Sequence, residues 1–262
     1  MNNSWGRIRA MLLHSWYHTS HSKETWIDLL WFTAIQFVVF GFISRLFGGG
    51  NGELSQALLA GFLLWETVRI SQYCITVSVL WEVWSKSFST LLISPLSMDE
   101  WIASQAFSGI IKTAIVIVFL STISSVFFHF FPLQLGPIFL LYFLILFSFG
   151  IAAGIFLTGL IVRYSTDVQS VAWGLIYILQ PISAVFYPVS ALPIQIRWLA
   201  YSSPITYIAE SVRNQLKTGQ PLWNYILISA AFTIMYLIGS WFFMQRMLKW
   251  SKETGALARL GN

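Results

Sequence analysis

Charge is what this sequence has least of. Only 10% of its 262 residues are Asp, Glu, Lys or Arg, where an ordinary soluble domain carries about 25%. So few ionisable side chains cannot solvate a globular surface, which excludes a free soluble domain and points to an integral membrane protein. Cysteine is nearly missing as well. The single Cys74 sits in an apolar run, so no intrachain disulfide forms and no thiol chemistry is indicated. Catalytic motifs are also lacking: there is no G-x-x-x-x-G-K-[ST] to cradle ATP phosphates, no H-E-x-x-H and no G-x-S-x-G. No catalytic residue, metal-ligand set or cofactor site of the chain's own is assigned. His14, His18 and His21 read as water-facing side chains, and His129 as an interfacial one beside a turn. The net charge of +5 is spread over loops and ends without a basic, aromatic-interleaved stripe, which argues against a nucleic-acid partner.

What the chain has is apolar length. Its residues are 56% hydrophobic, and 13 Trp with 10 Tyr suit many interfacial anchors. Residues 1–25 read as an amphipathic helix in the headgroup plane. Trp5, Ile8, Leu12 and Trp16 recur at three- and four-residue spacing, with Arg7 and the histidines largely off that line. The first long apolar run follows and lacks a small-residue cleavage site, so it reads as a retained span. Residues 26–262 are one transmembrane domain with spans predicted near 26–47, 54–80, 105–131, 137–162, 169–187 and 223–247. The predicted fold class is an all-α polytopic bundle of six spans.

Orientation follows from lysine and arginine. With the N-terminus inside, nine fall on the cytoplasmic side: Arg7, Arg9, Lys23, Lys86, Arg163, Arg246, Lys249, Lys252 and Arg259. Four fall outside, Arg45, Arg197, Arg213 and Lys217. That excess predicts both termini in the cytoplasm of a bacterial-type inner membrane. The link 81–104 then faces in. Its centre, 88–93, is apolar for a cytoplasmic segment; an exposed face there suits a protein partner, and packing on the bilayer or its own bundle is the competing reading. On the outer side, four of the eight prolines fall between Pro181 and Pro204. Proline removes a helix hydrogen bond, so a helix ending near Tyr187 and two half-helices, 191–201 and 205–216, are predicted. The hairpin 188–221 is expected to re-enter the membrane edge as a pathway lid, with a passive capping loop as the alternative.

Two charges fall near the middle of the second span. Glu66 and Arg69 share one helix face at a spacing of three, and a charge at that depth costs about 2.5 to 3.5 kcal/mol on insertion scales. They read either as a polar patch on a translocation route or as a self-neutralising structural pair. Lys112 is expected to snorkel to the inner surface, and Asp28 to need no special role.

Motifs in both links resemble the permease subunits of type-2 ATP-binding-cassette exporters. The inner one is Glu82-Val83-Trp84-Ser85-Lys86 leading into Leu91-Leu92-Ile93-Ser94-Pro95-Leu96. The outer ones are Gln180-Pro181-Ile182-Ser183-Ala184-Val185-Phe186-Tyr187-Pro188 with Leu192-Pro193, and Ser203-Pro204-Ile205-Thr206-Tyr207 ending at Arg213. Where many members carry Gly-Thr-Leu-Glu, this chain has Lys86-Ser87-Phe88-Ser89. The resemblance implies a cytoplasmic coupling helix at 81–104, with Glu82, Trp84, Lys86, Phe88, Leu91, Leu92 and Pro95 toward an ATPase. It also implies an outer gate involving Pro188, Leu192, Pro193, Trp198, Leu199, Pro204 and Arg213. The expected assembly has two ATPase subunits, which bind ATP and Mg, and a second copy of this chain, in a lipid membrane. The function so implied is outward transport of an amphiphilic, drug-like or lipid-linked substrate. A membrane scaffold or sensor without transport, and a passive channel, are the competing classes.

Overall fold

A computed structural model of the chain describes residues 4–48 and 52–254; the glycine link at 49–51 and Arg259 lie outside them. Among the described residues all regular structure is helical, with no strand. Helix α1 (Ser4–His21) rests against the bundle through small side chains. Ser15 and Thr19 are buried, while Trp5 and Trp16 are exposed. The predicted apolar line is therefore split, because hydroxyl-bearing residues let α1 approach its neighbour closely and leave the indoles facing away. Ser22 then caps α2 (Lys23–Trp26), which runs through a π-helical segment, Ile27–Phe32, into α3 (Thr33–Gly48).

Helix α4 (Glu53–Trp84) is the centre of the bundle. It is buried on nearly every side from Leu59 to Val83. Around it stand α3, α6 (Met98–Phe128), α7 (Ile138–Tyr164) and α10 (Pro204–Thr218), and α7 in turn lies along α11 (Trp223–Glu253). Two glycines make the α4–α7 seam. A methyl group on Gly150 would come within 1.8 Å of Ser71 Oγ, and one on Gly154 within 2.7 Å of Ile75 Cβ. This small-x-x-x-small spacing lets two membrane helices meet backbone to backbone.

Four helical stretches are long and apolar enough to cross a membrane: Lys23–Leu46, Met98–Phe128, Ile138–Tyr164 and Trp223–Glu253. The two other predicted spans differ from these. Helix α4 has 32 residues, about 48 Å of rise, but its polar side chains keep it out of that set. Its neighbours shield it, so it need not be apolar. Helix α8 (Gln169–Ile182) has 14 residues, about 21 Å, against a hydrocarbon thickness of about 30 Å. It ends at Ile182, short of the predicted Tyr187. Pro181 occupies its last turn, and Ala184 follows with φ +48°.

The ends of α4 mark two opposite poles. At its C-terminal pole sit the short α5 (Phe88–Ile93), the start of α6 and α1. Near its N-terminal pole the chain leaving α8 makes tight turns at 189–191 and 194–196, then forms α9 (Arg197–Ser202) and α10.

Candidate functional site

The two buried charges of α4 come together. Arg69 donates from Nε to Glu66 Oε2 at 2.8 Å, its Nη2 lies 2.7 Å from the same oxygen, and Nη2 also donates to Thr33 Oγ1 at 2.8 Å. Glu66 is 1% exposed and Arg69 8%. The pair is thus neutral as a unit and tied to α3 by a hydroxyl that sequence reading missed. Beside it lies a cavity of about 150 Å³ lined by Asp28, Arg69, Gln72, Tyr73 and Thr76, with Trp173 and Tyr177 of α8 as its aromatic wall. Asp28, read as needing no role, belongs to this polar wall and comes from the π-helical segment. Such segments recur at functional sites because the extra residue in the turn re-aims a side chain.

At the C-terminal pole the inner segment divides by exposure. Phe88 is fully buried, in a core with Val79, Leu80, Trp101, Ile161 and Leu248. It was expected to face a partner; it is instead the anchor that holds α5 to the bundle, since burying one ring gains more than leaving it in water. Trp84, Lys86, Ile93 and Pro95 are exposed, Ile93 at 87%. Leu91 is half-buried, and the side chain of Leu92 lies outside the described set. The Glu82 carboxylate accepts from the Ser87 hydroxyl, and Lys86 takes φ +58° between them, which turns the chain into α5. Across this pole Arg7 Nε donates to Glu100 Oε2 at 2.9 Å and fastens α1 to α6. That hydrogen bond holds the Arg7 guanidinium above its ordinary pKa.

At the other pole the broken backbone is held by side chains of α10. Thr206 Oγ1 donates to the Ser183 carbonyl at 2.8 Å, and Arg213 donates to the carbonyls of Ala184 at 3.0 Å and Val185 at 3.2 Å. Glu210 Oε1 accepts from Val189 N at 2.9 Å. Arg197 donates to Ser190 O and Leu192 O at 2.7 and 2.9 Å. These bonds replace what the prolines remove. Arg213 is therefore a clamp within the subunit. Leu192 is likewise internal, packed with Ala184, Val189 and Ala200 in a small core of the hairpin's own. Pro188, Pro193, Ile194 and Trp198 are exposed, Leu199 is half-buried, and Pro204 is buried at the start of α10, where a missing N–H is harmless.

Below the hairpin opens a cavity of about 630 Å³ between α7, α8 and α11. Phe149, Ala153, Phe156, Leu179, Gly239 and Phe243 give it apolar walls, and Leu199, Ser202 and Ser203 of the hairpin cover it. Ser203 borders it, but its Oγ is shut off from that space and among the described residues has no hydrogen-bond partner. Lys112, expected to snorkel, does not reach the surface; it is 7% exposed at the wall of a groove between α1, α4 and α6.

A shielded polar centre inside a bundle of apolar spanning helices defines a multi-pass membrane protein. The chain belongs to the ABC-2 type transporter family, whose model matches residues 8–217. That match spans α1 through α10, so it includes both the inner segment and the hairpin. No curated protein matches the chain. It is therefore the membrane subunit of a transporter and not a catalytic domain, in a family whose members work with an ATP-binding-cassette ATPase.

Proposed function

We propose that this chain is the permease half of an ATP-driven exporter that moves an amphiphile outward. The observation that carries this reading is the 630 Å³ apolar cavity roofed by the hairpin. Pockets that take small ligands are mostly apolar with a few polar groups that fix orientation, and this one fits a largely apolar body. Six spans, with α4 and the short α8 added to the four apolar helices, both termini in the cytoplasm of an inner membrane, and a re-entrant hairpin outside remain part of the proposal. So do two copies of this chain on two ATPases that bind ATP and Mg. The ATPase meets the exposed Trp84, Lys86, Ile93 and Pro95, with Glu82 and Leu91 behind them and Phe88 anchoring the helix. Trp198, Ile194 and Pro193 form the gate surface, with Leu199 beneath.

The test is transport with the cavity filled. In proteoliposomes holding the complex, Gly239→Trp or Ala153→Trp should reduce ATP-dependent efflux of a lipophilic cationic dye at least tenfold while the complex still assembles. Unchanged efflux with both indoles in place would remove the cavity from the route.

A further inference from the structure

Lys112 lines a groove closed by α1, α4 and α6, and among the described residues it makes no ion pair or hydrogen bond. Lys112 is 7% exposed, and its surface opens onto the groove. A buried charge without a partner is costly, and one inside a membrane bundle normally marks a pairing site. The acids nearby are otherwise placed. Glu66 is bound to Arg69, and Asp28 lies beside Tyr73 in a separate cavity.

Glu82 also borders the groove, but at its far end. Gln105 of α6 accepts from Ser78 of α4 at 3.0 Å, and Gly109 of α6 abuts Cys74 of α4. This antiparallel register puts Lys112 level with Ser71, about 16 Å along the helix from Glu82 at ~1.5 Å per residue. Glu82 cannot pair directly with it. His14 and His18 of α1, with Trp81, line the same opening, and Ser78 and Gln105 offer hydroxyl and amide groups between the mouth and the floor. Tyr73 and Cys74 complete the titratable groups that face it. Gln105 is itself fixed from both sides, because its Nε2 donates to Ser15 of α1 at 3.0 Å. The groove is therefore preformed, about 60 Å³ in volume, roughly four waters' worth of space. That space takes one compact anionic group, with the rest of any larger molecule left outside the mouth.

We infer that this groove is an anion site: Lys112 at its floor binds one phosphate-type oxyanion that enters past His14 and His18. Two sources share that chemistry, the headgroup phosphate of an anionic lipid and free inorganic phosphate. The site is separate from the apolar cavity and does not depend on what the subunit transports.

The test is thermal unfolding of the full-length chain in neutral detergent, in gluconate buffer at constant ionic strength. Inorganic phosphate and dioctanoyl phosphatidylglycerol are titrated separately, with dioctanoylglycerol as the uncharged control. A ligand that binds only the folded state raises the midpoint in a saturable way. A saturable rise of several degrees with phosphate alone assigns the free anion, and one with the phosphatidylglycerol alone assigns the lipid. Lys112→Met should abolish either response and, without anion, unfold at or above the wild-type temperature. Lys112→Arg should keep a response. If Lys112→Met does not fold, Ser78→Leu, which narrows the groove and leaves the lysine, should abolish the response instead. No saturable response to either probe, or an undiminished one in Lys112→Met or Ser78→Leu, overturns the assignment.

Discussion

The carbonyl oxygen of Val185 lies so close over Gly61 that a methyl group on the glycine would sit 2.6 Å from it. The same oxygen accepts from Arg213 Nη1 at 3.2 Å. The central helix, the turn after α8 and the returning α10 therefore meet at one atom. No side chain larger than hydrogen fits beneath it without moving backbone.

Gly61→Ala should accordingly destabilise the hairpin by about 1 to 3 kcal/mol, the usual cost of overpacking, and Gly61→Val by more. Unfolding temperature in detergent reads the cost. Proteolysis of 183–204 should rise in the same order, and equal stability of all three proteins would contradict the contact.

The buried pair on α4 gives a second expectation. Glu66→Gln or Arg69→Gln alone leaves one charge unpaired, which costs about 3 to 5 kcal/mol, so folded yield should collapse in each. The double variant should recover much of the yield. Its transport rate then separates a structural pair, which leaves transport unchanged, from a pair that lines the route, which does not. The double-mutant cycle isolates the coupling because both singles remove the same contact.

The inner segment offers a contrast between neighbours. Phe88→Ala should cost about 3 to 5 kcal/mol of stability, as for any fully buried ring. Ile93→Asp, at 87% exposure, should change stability by no more than about 0.5 kcal/mol. If α5 docks on the ATPase, Ile93→Asp should nonetheless uncouple ATP hydrolysis from transport. Coupled hydrolysis at the normal rate in that variant would move the docking surface elsewhere.

For the hairpin, the informative cross-links are at Ile194 and Trp198, which are exposed, and not at Leu192, which is internal. If two copies pair as the proposed exporter requires, Trp198→Cys in a Cys74→Ala background should cross-link to its symmetry mate and stop export while ATP binding persists. Leu192→Cys should not cross-link. Efficient cross-linking of Trp198→Cys with export unaffected identifies the hairpin as a cap.

Much of this architecture was legible in the chain itself. Apolar runs, interfacial tryptophans and the proline cluster were enough to expect an all-helical membrane bundle with a broken hairpin, and the motifs at 82–96 and 180–213 pointed to the family that the comparison shows. The spacing of Glu66 and Arg69 put them on one helix face and left their role open; the structure shows the pair made. Other features depend on which way a side chain turns, and sequence carries that poorly. Phe88 and Ile93 are both strongly apolar, yet one is core and the other surface, because only the packing of α5 on α4 distinguishes them. Thr33 is 36 residues from Arg69, so no local pattern links them. Lys112 looked close enough to water to snorkel, but α1 folds across its path. The Gly150 and Gly154 spacing was a readable signal that sequence reading passed over.

The glycine seam between α4 and α7 also divides the subunit mechanically. Sliding one helix along the other would drive Ser71 and Ile75 into the backbone at Gly150 and Gly154, where there is no room for even a methyl group. The seam thus behaves as a keyed shaft, and the two helices turn or tilt only together. Any stroke has to be taken up at the rim, by the short α8 and by α1, which holds α6 through Arg7–Glu100 and Ser15–Gln105. Hydrogen exchange across a transport cycle should leave 68–75 and 150–154 silent while 169–182 brightens.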